Sequence, residues 1–307
     1  MSKIAFVFPG QGSQYVGMGK EFIEQFSFAE DIIENANKIL DFNLKELCLN
    51  GPVEDLNNTR NTQVAIYTIS YIINKVLESK DIYPDIVAGH SLGHYSALAA
   101  SEVLSFEDGL NLVQNRGIIM SDGIEDLEGS MAAIIGLEEE KILFICQKVE
   151  GVCELANYNS PGQVVISGEI RAIKEACALA EEGGAKKVVE LKVSGPFHSS
   201  LMEKAESRFA EYLKDISFNQ PRYPIVDNVT ANFLNNPLEI KELLIKQISG
   251  SVRWLESVQL MIANNVETFI EVGPGRVLKG LMRRIDRSVN AYNVEDIKSL
   301  DKLITKL

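Results

Sequence analysis

The most constraining feature of this chain is a serine set between two glycines, Gly89-His90-Ser91-Leu92-Gly93. The run Asp85-Ile86-Val87-Ala88-Gly89 leading into it reads as a buried strand, and the small-residue stretch from Tyr95 to Leu104 reads as a helix. G-x-S-x-G between a strand and a helix is the setting of a nucleophile elbow, which needs a core strand of an α/β sheet running into a helix N-terminus. The glycines permit the tight turn and the close approach of neighbouring elements. The serine then stands at the positive end of a helix, and the N–H of Leu92 can point at a developing oxyanion. A chance match around a helix-capping serine is the plain alternative, and the flanking elements weigh against it.

Alternation of strand and helix holds on both sides of this turn. Residues 3–8 form an apolar strand ending at Pro9-Gly10, helices are expected over 19–40 and 61–79, and Ser105-Phe106-Glu107-Asp108 matches a capping box that opens a helix carrying Arg116. Such alternation implies an α/β fold with a mostly parallel sheet. The middle of the chain differs. Strands are expected at 130–136, 152–158, 163–167 and 186–193, with helices at 138–149 and 171–182 and a turn at Asn159-Ser160-Pro161-Gly162. The order βαββαβ is ferredoxin-like. The expected division is a large α/β domain of residues 1–125 and 195–307, with a ferredoxin-like small domain, 126–194, inserted. Beyond it we expect a helix at 201–214, a strand at 223–227, a helix at 238–263 and a strand at 267–272. Gly273-Pro274-Gly275 then turns into a final basic helix.

The 307 residues are 46% hydrophobic, enough to bury a sizeable core. A net charge of −13 argues against nucleic acid as a partner. An anionic partner would need a local basic patch, such as Lys279, Arg283, Arg284 and Arg287, which reads more readily as a solvated helix face. Cys48, Cys146, Cys153 and Cys177 are irregularly spaced with no C-x-x-C, so a zinc or disulfide framework is not expected. The N-terminus MSKIAFVFPG lacks the pattern of a signal peptide, and no apolar run is long enough to span a bilayer. The expectation is a cytoplasmic protein with no membrane partner.

A serine nucleophile needs a base, and only His90, His94 and His198 are available. His198 ends Ser194-Gly195-Pro196-Phe197-His198, a turn-like approach to a helix after a strand, which places it at a sheet edge beside the serine; it is the favoured base. His94 lies early in the helix after the serine and could also face the site. His90 precedes the serine and reads as structural. The loop Pro9-Gly10-Gln11-Gly12-Ser13-Gln14 lacks both the dinucleotide and the P-loop spacing. Its backbone N–H groups could supply a second oxyanion donor, or it is an ordinary glycine-rich turn.

Five segments in order along essentially the whole chain resemble the malonyl-CoA–acyl carrier protein transacylases and the related acyltransferase domains of polyketide synthases. They are Gly10-Gln11-Gly12-Ser13-Gln14, Gly89-His90-Ser91-Leu92-Gly93, Asn159-Ser160-Pro161-Gly162-Gln163, Gly195-Pro196-Phe197-His198 and Glu271-Val272-Gly273-Pro274-Gly275. The resemblance implies a hydrolase-like large domain with a ferredoxin-like insertion. It implies Ser91 as the acylated nucleophile and His198 as its base, oriented by the main-chain carbonyl of Gln247 and not by a carboxylate. Gln11 and Leu92 match the oxyanion pair. Arg116 matches the arginine that pairs with the malonyl carboxylate, a bidentate task suited to a guanidinium. Leu92 and Phe197 match the malonyl-accepting pattern. His94 stands where the family usually has glutamate. The implied substrates are malonyl-CoA, as a coenzyme A thioester, and acyl carrier protein. No bound cofactor or metal is implied, and a monomer is the family expectation.

Two other classes stay open on the residues. A serine hydrolase would share G-x-S-x-G, but it normally gives its histidine an acidic partner and has no use for an arginine clamp. A catalytically silent synthase subunit is the other, and the presence of Ser91, His198, Arg116 and Gln247 together argues against it.

Overall fold

The computed structural model describes residues 3–122, 128–193 and 195–307, and within them ten strands form two sheets. The strands are β1 (Lys3–Phe8), β2 (Ile86–Gly89), β3 (Gly129–Ile135), β4 (Cys153–Ser160), β5 (Gln163–Glu169), β6 (Lys187–Glu190), β7 (Ile225–Val226), β8 (Phe233–Leu234), β9 (Val266–Val272) and β10 (Asn290–Val294). The larger sheet has the order β10-β9-β1-β2-β7-β8, and every pair in it is parallel except β7 with β8.

The unbroken apolar run of β1 follows from burial on both faces. Phe6 and Phe8 pack into the core under the long helix Thr59–Glu78, whereas Ala5 and Val7 face the helices Trp254–Ala263 and Val277–Ile285. The smaller sheet, β4-β5-β3-β6, is antiparallel throughout. Its alternation is divided in the same way. Ala132, Ile134 and Ile166 pack on the helices Glu139–Lys148 and Ile170–Glu182, while Met131, Ala133 and Val165 turn toward the larger core. The two parts are stitched by Val252, whose N–H donates to Ala156 O at 2.8 Å and whose carbonyl accepts from Tyr158 N–H at 2.9 Å.

Two helices expected as continuous are broken. Residues 19–40 form Lys20–Gln25 and Ser27–Leu40, with Phe26 extended between them and its ring 5.4 Å from that of Phe28; tertiary packing outweighs helix propensity here. Residues 238–263 form Pro237–Lys246 and Trp254–Ala263. The interruption falls at Ser249-Gly250-Ser251, a breaker signal present in the sequence. The basic helix Val277–Ile285 is not the last element, since β10 and the helix Ile297–Ile304 follow it. The strand expected over 186–193 is shorter, Lys187–Glu190. Ser194 and the expected boundary at 125/126 lie outside the described residues. No helix among the described residues is long and apolar enough to cross a membrane.

Candidate active site

Ser91 stands at the sharp turn between β2 and the helix Gly93–Ala100, with φ 50. A non-glycine residue in that region carries about 1–3 kcal/mol of strain and persists only where its surroundings fix it. The flanking glycines have a steric cause. A Cβ on Gly89 would lie 2.0 Å from the Gly93 backbone, and one on Gly93 would lie 2.0 Å from Phe8 O. The backbone of Ser91 is held by Asn228, whose Oδ1 accepts the Ser91 N–H at 2.8 Å and whose Nδ2 donates to Gly89 O at 2.7 Å.

The parallel register of β1 and β2, with Phe8 beside Gly89, brings the loop Pro9-Gly10-Gln11 alongside Ser91 and Leu92. The N–H groups of Gln11 and Leu92 have no hydrogen-bond acceptor among the described residues, and both residues line a cavity of about 560 Å³ above the serine. The Ser91 N–H is already engaged by Asn228 and is not available to an oxyanion.

His198 Nε2 lies 2.8 Å from Ser91 Oγ. Its Nδ1 lies 2.9 Å from Gln247 O and 3.0 Å from Gly250 O. Two carbonyls can only accept, so Nδ1 carries the proton and Nε2 offers its lone pair to the serine hydroxyl. These carbonyls are free because the helix stops at Lys246; a continuous helix would have spent them on its own N–H groups. Burial first, and then the charge of Arg116, push the pKa of His198 down to about 3. The ring is therefore a neutral base over the physiological range.

Arg116 comes from the helix Phe106–Asp122 and is 2% exposed. Its Nη1 donates to Gln63 Oε1 at 2.7 Å, its Nη2 donates to Ser91 Oγ at 3.1 Å, and its guanidinium lies 5.2 Å from the centre of the Tyr95 ring. It forms no ion pair among the described residues. Burial lowers its pKa, as expected for a cation taken out of water. Phe197, 5% exposed, lines the same cavity together with Met120 and Met131.

The structure thus gathers Ser91, His198, Gln247, Gln11, Leu92, Arg116 and Phe197 in one place. The other two histidines do not approach the serine hydroxyl through a hydrogen bond. His90 Nε2 meets Asn159 Oδ1 at 2.8 Å, clasping the elbow to β4. His94 is 1% exposed, and neither ring nitrogen has a hydrogen-bond partner among the described residues. Sequence reasoning missed Asn228, Gln63 and the Gly250 carbonyl. The one signal for Gln63 was a glutamine within the most buried stretch of its helix. The run Lys279, Arg283, Arg284 and Arg287 lies away from the cavity, with Arg284 bonded to Gln163 and Lys279 Nζ 2.7 Å from Asn293 Oδ1. Among the described residues no group of three or more His, Cys, Asp or Glu side chains is placed to hold a metal ion.

A serine at a strand-to-helix elbow, paired with a histidine and overlooked by a buried arginine, is an arrangement able to carry an acyl group, and the class the chain falls into is that of the acyltransferases. A family model described as "Acyl transferase domain" matches residues 5–305, and the chain belongs to that family. It is 43% identical over 310 residues to the malonyl CoA-acyl carrier protein transacylase of Bacillus subtilis, covering 100% of this chain and 98% of that protein. The protein of the same name from Haemophilus influenzae is 40% identical over 305 residues, covering 98% of each. Among solved structures, an acyl carrier protein S-malonyltransferase from Vibrio cholerae superposes with TM-score 0.95 at 42% identity, covering 98% of this chain and 100% of that one. A malonyl-transacylase in complex with its holo type II PKS acyl-carrier protein superposes with TM-score 0.97 at 38% identity, covering 100% of both chains.

Proposed function

We propose that this enzyme transfers a malonyl group from malonyl-CoA to the phosphopantetheine thiol of an acyl carrier protein, through an ester on Ser91, supplying fatty acid or polyketide synthesis. His198 Nε2 takes the proton of Ser91 Oγ, which attacks the thioester carbonyl. The oxyanion rests on the N–H groups of Gln11 and Leu92. As the C–S bond breaks, His198 returns the proton to the departing coenzyme A sulfur. The carrier-protein thiol then gives its proton to His198 and attacks the ester, and Ser91 leaves with that proton. The Gln247 carbonyl orients His198, and Phe197 shapes the acyl cavity.

The observation that carries the reading is Arg116. A buried guanidinium with no counter-ion among the described residues, one nitrogen 3.1 Å from the nucleophile, fits an acyl group that brings its own carboxylate. An ordinary esterase has no use for that charge. The names of the full-length relatives point the same way. We further read residues 1–125 and 195–307 as a hydrolase-like domain and 126–194 as a ferredoxin-like one; the βαββαβ order and the sheet order β4-β5-β3-β6 support this.

The test is intact-mass spectrometry of the protein mixed with a panel of acyl-CoAs. One malonyl adduct on Ser91 is expected, and none in Ser91→Ala. Adducts on another residue of that variant, or a preference for acetyl, would overturn the reading.

A further inference from the structure

We infer that Asn228 is the positioning residue that locks nucleophile and base into one unit, through a hydrogen-bonded clamp joining Gly89, Ser91 and Gln247. Its side chain is fully buried and uses both ends. Oδ1 accepts the Ser91 N–H at 2.8 Å and Gln247 Nε2 at 3.0 Å, and Nδ2 donates to Gly89 O at 2.7 Å. Gln247 Nε2 also lies 3.3 Å from Ser91 O, and the Gln247 carbonyl holds His198 Nδ1 at 2.9 Å. One amide therefore fixes the left-handed backbone of Ser91 and, through Gln247, the carbonyl that aims the base.

The fold brings Asn228 there for stated reasons. β7 runs parallel to β2, with Val226 beside Ala88, and the same register carried on two residues sets Asn228 level with His90. The loop after β7 is pinned by Asp227, whose Oδ2 accepts from Val229 N at 2.8 Å and Thr230 N at 2.6 Å. On the other side Arg253 N–H donates to Asn228 O at 2.8 Å. Only a side chain with one donor and one doubly accepting oxygen satisfies all three partners.

The inference rests on Ser91 and His198 being the reacting pair, so its test uses two reagents. Phosphonylation by a fluorophosphonate needs only nucleophile and base; acylation by malonyl-CoA needs the acyl site as well. Asn228→Ala removes the clamp. The near-isosteric Asn228→Asp keeps acceptors for Ser91 and Gln247 but sets an oxygen against Gly89 O, and it reports if the alanine variant does not fold. In whichever variant folds, both reactions should slow at least about thirtyfold at saturation, with KM for malonyl-CoA within about threefold of the parent. Folded variants that react at the parent rate with both reagents would overturn the clamp. A loss of rate matched by an equal rise in KM would do so too, since it would mark general loosening. A parent that takes the fluorophosphonate on Ser91 but not malonyl would overturn the proposed function and leave the clamp to be judged on phosphonylation.

Discussion

Arg116 Nη2 donates to Ser91 Oγ at 3.1 Å, so the hydroxyl that faces His198 Nε2 at 2.8 Å also accepts a bond from a cation. That cation favours the alkoxide and disfavours the imidazolium. A substrate carboxylate paired with Arg116 removes part of this bias and leaves His198 a stronger base, so a malonyl thioester would help to ready the site for its own attack.

The electrostatic coupling predicts a pH effect. Burial is the larger cause of the lowered His198 pKa and Arg116 the next. His198 must be neutral to act, and its pKa of about 3 keeps the acid limb of acylation well below neutral pH. Removing the charge in Arg116→Ala raises that pKa, so the acid limb of kcat/KM should move upward. The profile is to be read with acetyl-CoA in both proteins, because that substrate brings no carboxylate for Arg116 to pair with. An unmoved limb would mean that the two groups do not feel one another.

Acid stability follows from the same burial. His90, His94 and His198 all have pKa values lowered from 6.5, with burial the first cause in each. Above pH 6.5 the rings are neutral in folded and unfolded chain alike. As pH falls below that, the unfolded chain takes up protons that the folded chain refuses, for His198 down to about 3. The contribution of these rings to stability should therefore decline as pH drops through this window, by at most about 1.4 kcal/mol per pH unit for each histidine. Urea unfolding at a series of pH values checks this, and His94→Asn should lessen the slope. Glu271, whose carboxyl burial pushes up to about 7, contributes with the opposite sign in the same window, so the deciding comparison is the variant with the parent: a slope unchanged in His94→Asn would contradict the burial of that ring.

The two remaining candidate bases separate kinetically. His198→Ala should slow acylation by about a hundredfold or more, the scale for loss of a general base. His94→Ala should change the rate far less, because neither of its ring nitrogens is bonded to the site. Single-turnover acylation measures both, and a reversed order would make His94 the base.

The site was legible in the sequence to the extent that its parts are local. The elbow declares itself because glycine, serine and the strand-to-helix change fall within five residues, and the loop at Gln11 because it follows a strand of the same sheet. Asn228 was not legible. Asp227-Asn228 reads as ordinary turn chemistry, and its meaning depends on β7 pairing with β2, a contact 139 residues distant along the chain between Asn228 and Gly89. The Gly250 carbonyl escaped notice because residues 238–263 carry an apolar pattern that runs through the interruption. The break at Ser249-Gly250-Ser251 gains its sense only from His198, which lies 52 residues away and needs the carbonyls it exposes. The strand β10 and the helix Ile297–Ile304 were not legible, because Asn290–Val294 carries no apolar run and the helix after it is only eight residues long.

Selectivity for the acyl group is the strictest test of Arg116. Malonyl and acetyl differ by one carboxylate, so a residue that pairs with it must affect the first more than the second. A charged hydrogen-bonded contact contributes about 1.5–3 kcal/mol net, which sets the expected loss of malonyl acylation in Arg116→Ala at roughly one to two decades. Burial deepens this loss, because a carboxylate drawn to the buried position of Arg116 also gives up hydration. Acetyl brings no charge to the site and should be transferred as well as before, or better, once the guanidinium no longer disfavours a charged His198. Gln63→Ala should give a weaker copy of the same pattern, since Gln63 Oε1 holds Arg116 Nη1 at 2.7 Å and leaves the charge in place. The quantity to measure is the ratio of malonyl to acetyl acylation efficiency in parent and variants. A ratio unchanged in Arg116→Ala would assign that residue to the fold alone and place malonyl selection elsewhere.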